Sequence, residues 1–138
     1  MSVRRVGLTL VCFLAATLPL AAAAQELKPG NYRTTMTGDM PGMDGKPIEG
    51  DTCITQKDVD SGLTRLGVEK DTDCKVLDFK RSPGRVSYKM SCPEDKTMSD
   101  VQGTFGADTL DFKMVMKTPD SPKPINLRIQ GKRNGNCK

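Results

Sequence analysis

The stretch from Cys74 to Cys92 constrains the fold more than any other part of the chain. Pro83-Gly84 separates two runs in which apolar and polar residues alternate, the signature of a turn between antiparallel strands. With Ser82 opposite Arg85, a regular ladder places Phe79 across from Tyr88 and Leu77 across from Met90. Those four side chains then share one buried face. A cysteine stands at each end of this hairpin.

The same period continues on both sides. Tyr32, Thr34 and Met36 share one face of an early strand, and Ile48–Ile54 reads as a short second strand. Thr55 and Asp58 form a helix start, followed by an apolar stripe of Val59, Leu63 and Leu66. After Cys92, Val101, Gly103 and Phe105 alternate with polar residues. So do Leu110, Phe112, Met114 and Met116, then Ile125, Leu127 and Ile129. Gly131–Cys137 reads as a polar, turn-rich end. The expected fold is mostly β: a single antiparallel meander of about seven strands, curled into a small barrel or half-barrel, with one short helix over one end. A flat sandwich is the alternative.

Residues 1–24 are set apart as a signal peptide. Arg4-Arg5 precede the apolar run Val6–Leu20, which is short for a membrane span, and Ala22-Ala23-Ala24 forms a small-residue cleavage site. Cys12 lacks the small preceding residue of a lipidation site, so no lipid anchor is expected. Export to the periplasm follows, with residues 25–138 as one disulfide-stapled domain. Removing Arg4 and Arg5 leaves 19 basic residues of the chain's 21 against 17 acidic ones. That balance is no nucleic-acid footprint.

Four cysteines remain: Cys53, Cys74, Cys92 and Cys137. An even number in a small exported chain reads as two disulfides, and without a C-x-x-C pair a zinc site is a poor fit. Four cysteines allow three pairings. Strand direction favours Cys74–Cys92 with Cys53–Cys137, because Cys74 and Cys92 fall at one end of the sheet and Cys137 at the other. Pairing neighbours in sequence, Cys53–Cys74 and Cys92–Cys137, is the rival. The register set by Phe79 and Tyr88 resists the first choice, since it puts Lys75 across from Cys92.

Several segments together resemble one family: Leu27-Lys28-Pro29-Gly30, Met40-Pro41-Gly42-Met43, Cys74–Lys80, Val86–Cys92 and Gly131–Cys137. The chain is similar to the small exported bacterial proteins of domain of unknown function 3617. The resemblance implies a periplasmic location in a Gram-negative cell, and it carries no activity.

The chain contains no His, so Ser–His and Cys–His pairs are excluded. There is no phosphate loop or dinucleotide fingerprint. A non-enzymatic domain without a cofactor is expected. It would bind an apolar small molecule or an envelope protein partner. For the small molecule the candidate lining is Leu77, Phe79, Tyr88, Met90, Phe112, Met114 and Leu127. Such side chains otherwise simply fill a small barrel. The runner-up is a soft-metal site for Cu(I), built from the thioethers of Met36, Met40 and Met43. Otherwise that loop folds its methionines back onto the barrel mouth. The oligomeric state is left open.

Overall fold

A computed structural model describes residues 26–64 and 73–138. The signal-peptide reading of residues 1–24 and the contribution of Leu66 to the helix stripe lie outside these residues. The described chain contains seven strands and one short helix. These are β1 (Gly30–Gly38), β2 (Ile48–Ile54), α1 (Gln56–Asp60), β3 (Lys75–Ser82), β4 (Arg85–Cys92), β5 (Thr97–Phe105), β6 (Thr109–Lys117) and β7 (Ile125–Gly135).

All seven strands join one antiparallel sheet in the order β2-β1-β7-β6-β5-β4-β3. The sheet is curled but not closed, as a half-barrel. From β3 to β7 the chain meanders between neighbours. The β1–β2 hairpin adds to the far side, with β1 docked on β7. The link from β2 to β3 must therefore travel from one edge of the sheet to the other. Its first part is α1, which carries a capping box between Thr55 and Asp58. Gly62 and Leu63 then take left-handed φ values of 72° and 60° and stop the helix. Val59 and Leu63 are buried in the core. Arg81 Nη1 donates to the Val59 and Asp60 carbonyls at 3.1 and 3.2 Å, which ties this turn to β3.

The core lies on the inner face of the curl. Its rows follow from the register: Met36, Ile129, Phe112, Gly103 and Val86 are successive cross-strand neighbours. Large side chains meet glycines. A Cβ on Gly103 would lie 2.5 Å from the Phe112 ring, and one on Gly131 would lie 3.0 Å from Leu110 Cδ1. A tightly curved sheet fills its interior by alternating large and small residues in this way. Tyr32 closes one end: wholly buried, it donates from its hydroxyl to the Lys28 carbonyl at 2.6 Å.

Two sequence expectations change. The β3–β4 ladder is not regular. Lys80 pairs with Ser87, but Leu77 pairs with Lys89 and Val76 with Met90. Asp78 and Phe79 together oppose Tyr88, and Asp78 has a left-handed φ of 51°. This is a β-bulge, and an Asp tolerates that conformation better than most residues. Leu77 is thereby turned to the outer face rather than inward. The other change is that β7 runs on to Gly135, where the sequence suggests a turn-rich end. Its polar residues pair with Asn31–Arg33 of β1.

Candidate functional site

The bulge decides which cysteines meet. With one extra residue absorbed in β3, Lys75 stands opposite Ser91, and the next pair outward is Cys74 and Cys92. They form a disulfide with a Cα–Cα separation of 4.1 Å. Cys53 and Cys137 form the other, with Cα atoms 5.4 Å apart. This bond reaches over the start of β1, since Asn31 pairs with both Cys53 and Gly135. The two cross-links sit at opposite ends of the sheet, as strand direction requires.

Of the proposed ligand-lining residues, Tyr88, Met90, Phe112, Met114 and Leu127 share the inner face. Tyr88, Met90, Phe112 and Leu127 are buried there, and Met114 packs against them. All but Leu127 belong to or pack against one core cluster with Tyr32, Val101, Ile129 and Leu63. The Tyr88 hydroxyl is buried, donates to the Leu63 carbonyl at 3.3 Å, and has its pKa pushed up to about 12 by burial. These residues therefore form a self-filled core. Leu77 and Phe79 do not join it as expected: both lie on an edge strand, 43% and 45% exposed. Phe79 leans on Tyr88 at a ring-centroid distance of 6.4 Å and against Gly62.

Met36, Met40 and Met43 are drawn in. Met43 is buried, Met36 packs on the core, and Met40 is half-buried. The Met43 amide donates to the Met40 carbonyl, which closes a tight turn. Among the described residues, no group of three or more His, Cys, Asp or Glu side chains is placed to hold a metal ion.

The sheet has two edges, β2 and β3, and β3 is the more exposed, although Ile48 on β2 is also 51% exposed. All eight residues of β3 are exposed, and among the described residues it pairs on one side only. Val76, Leu77 and Phe79 give it large apolar side chains at 39–45% exposure. The alternating pattern hid this surface, because a regular register would turn Leu77 inward; Phe79 keeps its inward side, against Tyr88 and Gly62. The mismatch in length between Cys74–Phe79 and Tyr88–Cys92 was the available signal.

Elsewhere, Asp111 and Arg128 form a two-pronged pair across β6 and β7. The hydrogen bond from Arg128 holds the Asp111 carboxyl below its usual range. An open groove of about 950 Å³ lies near them, lined by Arg33, Thr104, Asp111, Gln130 and Lys132 among others. Its wall is solvated, and two of its charges are taken up by neighbours: Arg33 by Asp51 at 3.1 Å, Asp111 by Arg128.

Comparison with known proteins fits this β-domain with ordered cysteines. A family model described as protein of unknown function (DUF3617) matches residues 27–137. The chain belongs to this family. The match takes in every described strand and all four paired cysteines. No curated protein and no solved structure matches the chain. For this DUF3617 protein, function has to be argued from its surfaces.

Proposed function

We propose that this DUF3617 protein is a non-catalytic periplasmic binding domain that engages an envelope protein through the β3 edge. One observation carries the reading: the inner face is filled by its own side chains, while β3 leaves apolar residues part-exposed on both its faces, Val76 and Phe79 on one and Leu77 on the other, beside an open backbone edge. Such an edge adds a strand from a partner, with backbone hydrogen bonds giving affinity and alternate side chains giving specificity.

Charge selects the occupant. Lys75 and Lys80 lie along β3, while Arg81 is held by Glu26 at 3.8 Å and by the α1 carbonyls, and the one acid of the strand, Asp78, is already paired with Lys89 at 3.4 Å. A second copy is disfavoured, because antiparallel self-pairing centred on Asp78 sets Asp78 against itself and Lys75 against Arg81. An extended segment with alternating apolar and acidic residues complements the edge.

Capture from a detergent extract of the cell envelope tests this with three proteins. They are the wild type, a Leu77→Glu variant and a Glu49→Lys variant on the opposite edge strand, each first shown to be folded by urea titration. Retention of the same specific protein by the wild type and by Glu49→Lys, with loss in Leu77→Glu, is expected. Equal capture by all three removes the β3 edge from the account.

A further inference from the structure

The two faces of the sheet differ in charge as well as in polarity. On the outer face the register sets Lys80, Ser87, Gln102, Lys113 and Arg128 in one cross-strand row. The next row runs Leu77, Lys89, Asp100, Val115 and Asn126, and the one beyond it Lys75, Ser91, Met98 and Lys117. Asp78 is spent on Lys89, and Asp111 of the adjoining row on Arg128. Among the described residues this leaves Lys75, Lys80, Lys113 and Lys117 without an acidic partner, against the single carboxylate of Asp100. Asp58 and Asp60 lie on α1, Glu94 and Asp95 in the β4–β5 turn, and Asp120 between β6 and β7; Glu49 and Asp51 share the outer face at its far edge, on β2, where Arg33 takes them up at 3.7 and 3.1 Å. The β3 to β6 part of the outer face thus carries a surplus of lysines. Two exposed apolar side chains, Leu77 and Met98, are set among the lysines, at 43% and 41% exposure.

We propose that this outer face docks on an anionic phospholipid surface. The lysines are spread over β3 and β6; Lys80 borders a shallow concavity, and Lys75, Lys113 and Lys117 line none of the described grooves. A spread of cations suits mobile phosphate head groups, which gather beneath it; a peptide would need a groove to hold it. Basic side chains near an anionic bilayer each add attraction, and interspersed apolar groups reach the head-group boundary. The attraction is screened by salt, because the lysines are solvated. This surface shares Lys75, Leu77 and Lys80 with β3, but its central residues, Lys113 and Lys117, lie on β6 in the middle of the sheet, away from the β3 backbone edge.

Vesicle co-sedimentation of the exported chain tests the proposal. Vesicles of phosphatidylcholine mixed with phosphatidylglycerol are compared with phosphatidylcholine alone. The variants are Lys113→Glu/Lys117→Glu and the control Lys46→Glu/Lys57→Glu, which carries the same charge change off this face. All share one N-terminus, and circular dichroism checks each fold. The wild type should bind only the anionic vesicles, and less in high salt. The β6 variant should lose affinity by about tenfold or more, with the control falling much less. Three results overturn the proposal: no binding to anionic vesicles at low salt, equal losses in both variants, or capture of an acidic polypeptide without vesicle binding. If the β6 variant cannot fold, Lys113→Gln/Lys117→Gln takes its place and should show a smaller loss in the same direction.

Discussion

Cys74 faces Cys92 across the β3–β4 ladder because Asp78 and Phe79 share a single opposite residue, Tyr88. The cysteine at the end of β4 would otherwise meet Lys75. The bulge that makes the disulfide also turns Leu77 to the outside.

Leu77 and Phe112 separate the bulged register from a regular one. Leu77→Ser should shift stability by roughly half a kcal/mol or less, as exposed positions do. Phe112→Ala removes a buried ring and should cost about 3–5 kcal/mol. Urea midpoints report both. A loss of several kcal/mol at Leu77 would mean that it faces Met90 after all.

Gly103 and Phe112 should behave as one unit. Gly103→Ala places a methyl group against the ring, 2.5 Å from its nearest carbon, and the ring must move. The expected cost is about 1–3 kcal/mol. In a Phe112→Ala background the same change should cost far less, since the obstacle is gone. A double-mutant cycle measures the coupling, and additive losses contradict the packing.

Tyr88 sets an alkaline limit. Its folded pKa stands at about 12 against an ordinary 10.0, because burial disfavours the phenolate. The folded state holds this proton longer than the unfolded chain does. The stabilisation is therefore complete below pH 10 and is lost as pH rises from there through 12, by roughly 2–3 kcal/mol. Ultraviolet titration in a Tyr32→Phe background, without tryptophan to interfere, should show tyrosinate forming about two pH units late. Tyr88→Phe should unfold less steeply in alkali. Ordinary ionisation near pH 10 in the folded protein would contradict the burial.

The two disulfides should differ in weight. Cys53 and Cys137 are 84 residues apart in sequence, Cys74 and Cys92 18. In the chain-entropy account the longer loop contributes more, about 4.5 kcal/mol against about 3. Paired Cys→Ser variants compared by urea titration give the order, and the reverse order contradicts that account.

The period-two pattern made the strands, the hairpin at Pro83-Gly84 and the inner positions of β4 to β7 legible, because each strand buries one face. The disulfide pairing was legible from strand direction. The bulge was not, because it absorbs one residue without changing composition. Asp78 reads equally well as an outward residue of a regular strand. The last turn of β7 was missed because Lys132–Asn134 have no apolar alternation; backbone pairing with β1 holds them, helped by Asn31 donating to Asn134 at 2.8 Å. The lysines of the outer face were visible singly in the sequence. Their grouping depends on register, which only the assembled sheet supplies.

The central claim is that this protein works from its β3 edge and not from its interior. Photo-crosslinking in living cells addresses it directly, with a benzophenone amino acid placed at Val76 on β3, at Glu49 on β2, or at the buried Met90. The account predicts one discrete protein adduct from Val76 and none from Glu49 or Met90. No adduct from Val76, or the same adduct from Glu49, would contradict it.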